Sequence, residues 1–144
     1  MNKTQQAALK AELAKAAYTG LADAQAKADA INTNISTDKF KKVEYSDVIS
    51  YLMVVDKWLP IKNSTVDAAE ELRDAVQHFQ TFDLNKPLVK AKIESTFDAL
   101  IAASPALISA TDKANILSLA DMTVAEALGL GSISQHDVTN AENS

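Results

Sequence analysis

A chain of 144 residues, 47% hydrophobic and 23% charged, has the balance of one globular domain long enough to bury a real core. The absence of cysteine excludes a disulfide scaffold, a thiolate nucleophile and a zinc–thiolate centre. A net charge of −5, with Arg73 the single arginine among 14 basic residues, argues against a polyanion binder unless the lysines cluster.

Three glycines and three prolines leave little turn chemistry for a sheet, so helices joined by short links are expected. The expected fold is all-α, a single compact domain of about six to eight helices. Within it, residues 1–35 form an alanine-rich helical hairpin or arm, 45–120 the core helices, and 121–144 a short helix-turn-helix-like docking unit. The first residues, MNKTQQAALKAELAKAA, lack the apolar block of a signal peptide. The greasiest stretch, Ala99 to Ala110, is broken by Ser104-Pro105 and is too short to span a bilayer. A soluble protein made in a cytoplasm, with no membrane partner, is expected.

In chain order, a first helix from about Thr4 to Ala17 carries Leu9 and Leu13 on one face. Tyr18-Thr19-Gly20 interrupts it, with Gly20 as a left-handed C-cap. Leu21, Ala24, Ala28, Ile31 and Ile35 then recur at spacings that make a narrow helical seam. That seam suits a hairpin with the first helix, or an arm docking on another subunit. Asn32 to Glu44 is a loop with Lys39, Lys41 and Lys42 around Phe40, either a solvated linker or a contact for nucleic acid or an acidic partner.

Ser46 is the expected N-cap of a helix running to Leu59 and ended by Pro60. Val48, Leu52, Val55 and Leu59 share one of its faces and Tyr51, Val54 and Trp58 another, the pattern of a central helix. Trp58 is expected in the core, with an interface anchor as the alternative. Ser64 and Asp67 have capping-box spacing before a helix striped by Val66, Ala69, Leu72, Val76 and Phe79. On its polar side, Asp74 and His78 read as a surface ion pair rather than half of an acid–base pair. The run Asp67, Glu70, Glu71 and Asp74 lacks a calcium-loop glycine and reads as a solvated face.

Asn85 is the expected cap of a helix with Pro87 in its first turn. Val89, Ile93, Phe97, Leu100 and Ile101 form its buried stripe, and Lys86, Lys90 and Lys92 its exposed side, up to a stop at Ser104-Pro105. A short helix around Lys113 to Ala120 follows, starting near Thr111 or Asp112.

Thr123 to Val138, TVAEALGLGSISQHDV, holds two of the three glycines and reads as helix, tight turn, helix. Thr123 with Glu126, and Ser134 with Asp137, have capping-box spacing, and Gly129 and Gly131 permit left-handed backbone. As a DNA reader this unit would use Ser134 to Ala141 for recognition. That segment has no Lys or Arg and carries Asp137, and the position expected to be buried and apolar falls on Gln135. A packing or docking element is the better reading.

Two blocks carry a family likeness. The first is Ala8 to Leu13 followed by Tyr18-Thr19-Gly20-Leu21-Ala22-Asp23-Ala24-Gln25-Ala26; the second is Val124 to Gly131 with Asp137-Val138 after it. In these blocks the chain resembles a family of small helical proteins encoded in the virion-gene regions of tailed bacteriophages. Members open with a block like ALKAEL…GYxGLxDAQAADxLN and close with one like (I/V)SRAxELGLGxVxxGDV. The likeness covers about a third of the chain. The family's basic residue before the glycine turn is absent here, Val124 standing near it, and Phe40 to Leu119 matches only as helices.

What the resemblance implies is a non-enzymatic structural protein of the particle, in head, neck or tail, assembled in the host cytoplasm. Its expected partners are other virion proteins and copies of itself, with no cofactor, no metal and no small-molecule substrate. Leu21, Ala24, Ala28, Ile31, Ile35, Leu128, Gly129, Leu130 and Gly131 are the candidate partner-binding residues. The alternative is a small nucleic-acid-binding or regulatory protein using Lys39–Lys42 and Lys86–Lys92, which requires those lysines to converge. An enzyme would need a pocket gathering His78 or His136 with several carboxylates.

Overall fold

Side-chain caps set many of the helix starts in the computed structural model, which describes all residues 1–144. In chain order the elements are α1 (Lys3–Leu13), α2 (Ala16–Thr19), α3 (Ala24–Thr33), β1 (Val43–Glu44), α4 (Tyr45–Val54), α5 (Trp58–Asn63) and α6 (Asp67–His78). They continue with β2 (Thr81–Phe82), α7 (Pro87–Ala102), α8 (Ala110–Leu117), a 3-10 turn at Ser118–Ala120, α9 (Val124–Ala127) and α10 (Gln135–Glu142). The protein is all-α apart from one antiparallel pair of two-residue strands, which aligns Val43 with Phe82 and Glu44 with Thr81. No helix is long and apolar enough to cross a membrane.

Full capping boxes start α1 (Asn2 with Gln5), α8 (Ser109 with Asp112) and α10 (Ser134 with Asp137). Each satisfies two backbone N–H groups that a helix start otherwise leaves open. Asp23 caps α3 through the Ala26 N–H at 2.8 Å. Thr123 caps α9 through the Glu126 N–H, which is half of the expected box.

Several sequence expectations are corrected. Gly20 has φ −87°, ordinary right-handed backbone, so it is not a left-handed cap; the chain leaves α1 earlier, at Ala14. The helix expected from Ser46 to Leu59 is two helices. Glu44, not Ser46, stands at the N-cap of α4, and Asp56 at φ 59° breaks the chain before α5. Asp is one of the few residues that enters the left-handed region at modest strain, so no glycine was needed there. Pro60 lies in the first turn of α5, where its missing N–H leaves no bond unmade, so it does not end a helix. Ser64 forms no box with Asp67; its hydroxyl accepts from the Val66 N–H at 3.1 Å. Lys86, not Asn85, is the N-cap of α7, and Pro87 takes its first turn as expected.

The chain gathers into two compact units. Residues 40–121 form one. Val48 and Leu52 of α4, Ile61 of α5, Ala69 and Leu72 of α6, and Phe97 and Leu100 of α7 meet in its core with Ile108 and Ile116. Trp58 packs half-buried against that core. Helix α4 is not buried on all sides, as its apolar circumference suggests: Met53 and Val54 face outward, the latter 82% exposed, as does Leu59 of α5. Arg73 donates to the Ile61 and Ser64 carbonyls, both at 2.7 Å, and so closes the end of α5. The Asn85 amide pairs with the backbone N–H and C=O of Phe40 and pins the strand entry.

Residues 1–39 and 122–144 form the other unit, so the two chain ends share one fold. Helices α1 and α3 both pack on α10, and α3 also packs on α9. The expected hairpin partner of the second helix is therefore supplied mainly by the C-terminal segment.

A buried acid ties α8 to α4 and gives a pH prediction. Asp112 accepts from the Tyr51 hydroxyl at 2.8 Å and the Ser109 N–H at 2.9 Å, with Lys57 Nζ at 3.9 Å. Burial opposes its charge, but the Ser109 N–H, the Tyr51 and Ser109 hydroxyls and Lys57 outweigh burial and hold its carboxyl below the ordinary 3.8. A depressed folded-state value means that the stabilisation is complete above the unfolded value and is lost as pH falls through the folded one. Wild type is therefore expected to exceed Asp112→Asn in stability at neutral pH, with the gap closing below about pH 4. Urea titrations from pH 7 to pH 3 measure the gap; a gap independent of pH contradicts the assignment.

Candidate functional site

In the unit built from the two chain ends, the core comprises Leu9, Leu13, Tyr18, Ala28, Ile31, Ala125, Ile133, Val138 and Ala141. The segment between α9 and α10 turns on Gly129 and Gly131 at φ 68° and 65°, the left-handed backbone their lack of Cβ permits. Asn32 holds this turn: its amide donates to the Ile133 carbonyl at 2.7 Å and accepts from the Ile133 N–H at 2.8 Å. Beside it, Ile35 bridges Thr123 in the manner of a strand pair. Val124 N–H donates to Asn34 O and Ser36 N–H to Met122 O, both at 2.9 Å.

The nine candidate partner-binding residues separate here by exposure. Ala28 and Ile31 are fully enclosed within the unit, and Leu21, Ala24 and Leu130 pack half-buried against its core. Leu128 is half-buried, whereas Ile35, Gly129 and Gly131 lie on the surface. Gln135 is exposed, and α10 buries Val138 and Ala141 instead.

A cavity of about 460 Å³ with a mixed lining opens beside Ile35, where Glu12, Tyr18, Asn34, Asp38 and Lys39 meet Val124 and Leu128. Glu12 is buried, and accepts from the Tyr18 hydroxyl at 3.1 Å and pairs with Lys15 at 2.6 Å. The bond to Glu12 raises the Lys15 pKa; burial, with the Glu12 bond second, raises that of Tyr18. These groups satisfy one another, which makes the site a structural knot rather than an open donor set.

A larger cleft, about 720 Å³, lies in the unit of residues 40–121 between α6 and α7. Its floor is apolar, with Tyr45 and Phe82 stacked at a tilt, 5.1 Å between ring centres, and Ala75, Val89 and Ile93 alongside. Glu71, Asp74 and His78 line it from α6, and Leu88, Val89 and Lys92 from α7. Lys42 and Lys86 complete the basic side. Asp83, near both, is held below its usual value chiefly by the Asn85 N–H, with its amide and the two lysines adding to this.

The lysine clusters thus converge in part. Lys42, Lys86 and Lys92 reach this cleft, while Lys90 leans over the Phe40 ring, 5.1 Å from its centre. Lys39, in the other unit, donates to the Ala127 carbonyl. Lys92 pairs with Glu71 at 3.0 Å, and Glu70 reaches Arg73 at 4.0 Å, so two of the four acids of the run on α6 have basic partners. Asp74 and His78 both line the cleft but do not form the expected ion pair. In the sequence these residues fall on two separate helices. The cleft is not legible there, because helical periodicity does not say which helices become neighbours.

Comparison with protein-family models, curated proteins and solved structures finds no match to the chain.

Proposed function

We propose that this chain is a non-enzymatic structural and interaction protein of a tailed-bacteriophage particle, acting through helix-mediated contacts with other virion proteins and with copies of itself. The supporting observation is that the two blocks bearing the family likeness, at opposite ends of the sequence, fold into one unit with one core. Leu9, Leu13 and Tyr18 come from the first block, and Ala125 and Val138 from the second. Gly129 and Gly131 are the left-handed hinge between the last two helices. The letters that carry the likeness are thus largely those this unit needs in order to fold, which is a physical reason for them to recur together.

Mass spectrometry of particles purified from the host that encodes the chain tests the reading. Stoichiometric recovery with head, neck or tail proteins supports it. Absence from intact particles, together with normal particle assembly when the gene is deleted, overturns it. The nucleic-acid alternative draws on Lys42, Lys86 and Lys92 around one cleft. Glu71, Asp74 and Asp83 in the same cleft oppose a polyanion, and Arg73 is engaged with backbone carbonyls. A salt-dependent affinity for duplex DNA would favour that alternative.

A further inference from the structure

Two large apolar side chains on the rim of the α6–α7 cleft are left facing solvent: Phe79 is 65% exposed and Leu88 87% exposed. Single exposed apolar residues are ordinary, but a pair flanking an apolar cleft marks a surface that loses free energy by being covered. The charges around it are unevenly divided. Glu71 and Asp74 stand on the α6 wall, and Lys92, with Lys86 at the start of α7, on the other, where Asp83 lies near Lys42 and Lys86. Glu71 and Lys92 satisfy each other across the cleft, whereas neither Asp74 nor Lys86 makes an ion pair within 4.0 Å, Lys86 having only the longer-range field of Asp83.

We propose that this cleft is a two-fold contact between two copies of the chain. A surface with an acidic strip beside a basic strip is its own complement. Rotation by half a turn about an axis along the cleft lays the acidic strip of each copy over the basic strip of the other. In that arrangement Asp74 of one copy meets Lys86 of the second, twice, and Phe79 of one covers Leu88 of the second. A uniformly acidic partner would meet Glu71, Asp74 and Asp83, and a uniformly basic one would meet Lys42, Lys86 and Lys92. A second copy carries the divided pattern already. The inference does not rest on the phage reading, since self-association and presence in a particle are measured separately.

Sedimentation equilibrium of the full chain, over a range of concentration and salt, is the test. Wild type is expected to dimerise, less tightly at high salt. Asp74→Lys alone and Lys86→Glu alone each place like charges face to face and are expected to weaken the dimer about tenfold or more. An equimolar mixture of the two variants restores opposite charges at both contacts, and is expected to recover association as a heterodimer. Leu88→Asp, at a position exposed enough to leave the fold intact by circular dichroism, is expected to give monomer. A wild-type chain that stays monomeric at about 100 µM, well above the micromolar range typical of specific pairs, overturns the proposal. So does a dimer indifferent to all three substitutions, or a mixture that fails to pair.

Discussion

Phe97→Ala is expected to destabilise the unit of residues 40–121 by about 3–5 kcal/mol, the range for removing a large aromatic from a packed core. Phe97 is 1% exposed and heads the fully buried side chains, among Leu52, Ile61, Leu72, Leu100 and Ile116. Truncation to Ala removes the ring's transfer free energy and leaves a void that helices on several sides cannot all close. Against a total of about 5–15 kcal/mol for a domain, the change shifts the folded population visibly. The control is Val54→Ala. Val54 lies on the second apolar face of α4 but is 82% exposed, so its truncation is expected to stay within about 0.5 kcal/mol. Trp58, half-buried against the same core, reports both transitions by fluorescence during urea unfolding. Equal midpoint shifts for the two variants would contradict the packing described.

The contrast between Phe97 and Val54 also marks what periodicity could and could not disclose. The stripe Val89, Ile93, Phe97, Leu100 on α7 was readable because its polar face is unambiguous. On α4 both faces are apolar, so the sequence offered no way to choose, and the structure buries only Val48 and Leu52 completely. At the end of α4 two residues exchange the roles their types suggest. Pro60 has the reputation of ending helices but begins α5, and the break belongs to Asp56, whose left-handed backbone has no glycine to announce it. Local caps such as Ser134 with Asp137 were legible, being three residues apart. The Asn32 clamp on Ile133 was not, because its partners are 101 residues apart in sequence and nothing local requires them to meet. The α6–α7 cleft is illegible for the same reason: the sequence puts Asp74 and Lys86 each on a solvated face, and only tertiary packing sets the two faces around one hollow.

Val138→Asp is expected to unfold the unit made from the two chain ends, or to weaken it by at least about 3 kcal/mol, because it places an unpaired carboxylate where no water reaches. Val138 is 0% exposed and lies on α10, the helix on which both α1 and α3 pack. The only charged group buried in that unit, Glu12, has Tyr18 and Lys15 as partners; position 138 offers an introduced acid an apolar cluster instead. The loss should therefore register far away in sequence, as faster amide hydrogen exchange along Lys3–Leu13 and Ala24–Thr33. Gln135→Glu is the matched control, adding the same charge to the same helix. Position 135 is exposed and sits in the first turn of α10, where the helix dipole tolerates or favours an acid, so exchange in α1 and α3 should be unchanged. The pair also tests the register of the glycine-hinged segment. Were its second helix packed as a DNA reader's would be, residue 135 would be the buried one and the two variants would exchange effects. If Val138→Asp leaves α1 and α3 protected, the shared core of the chain ends is wrong, and with it the observation that supports reading the two blocks as one functional module.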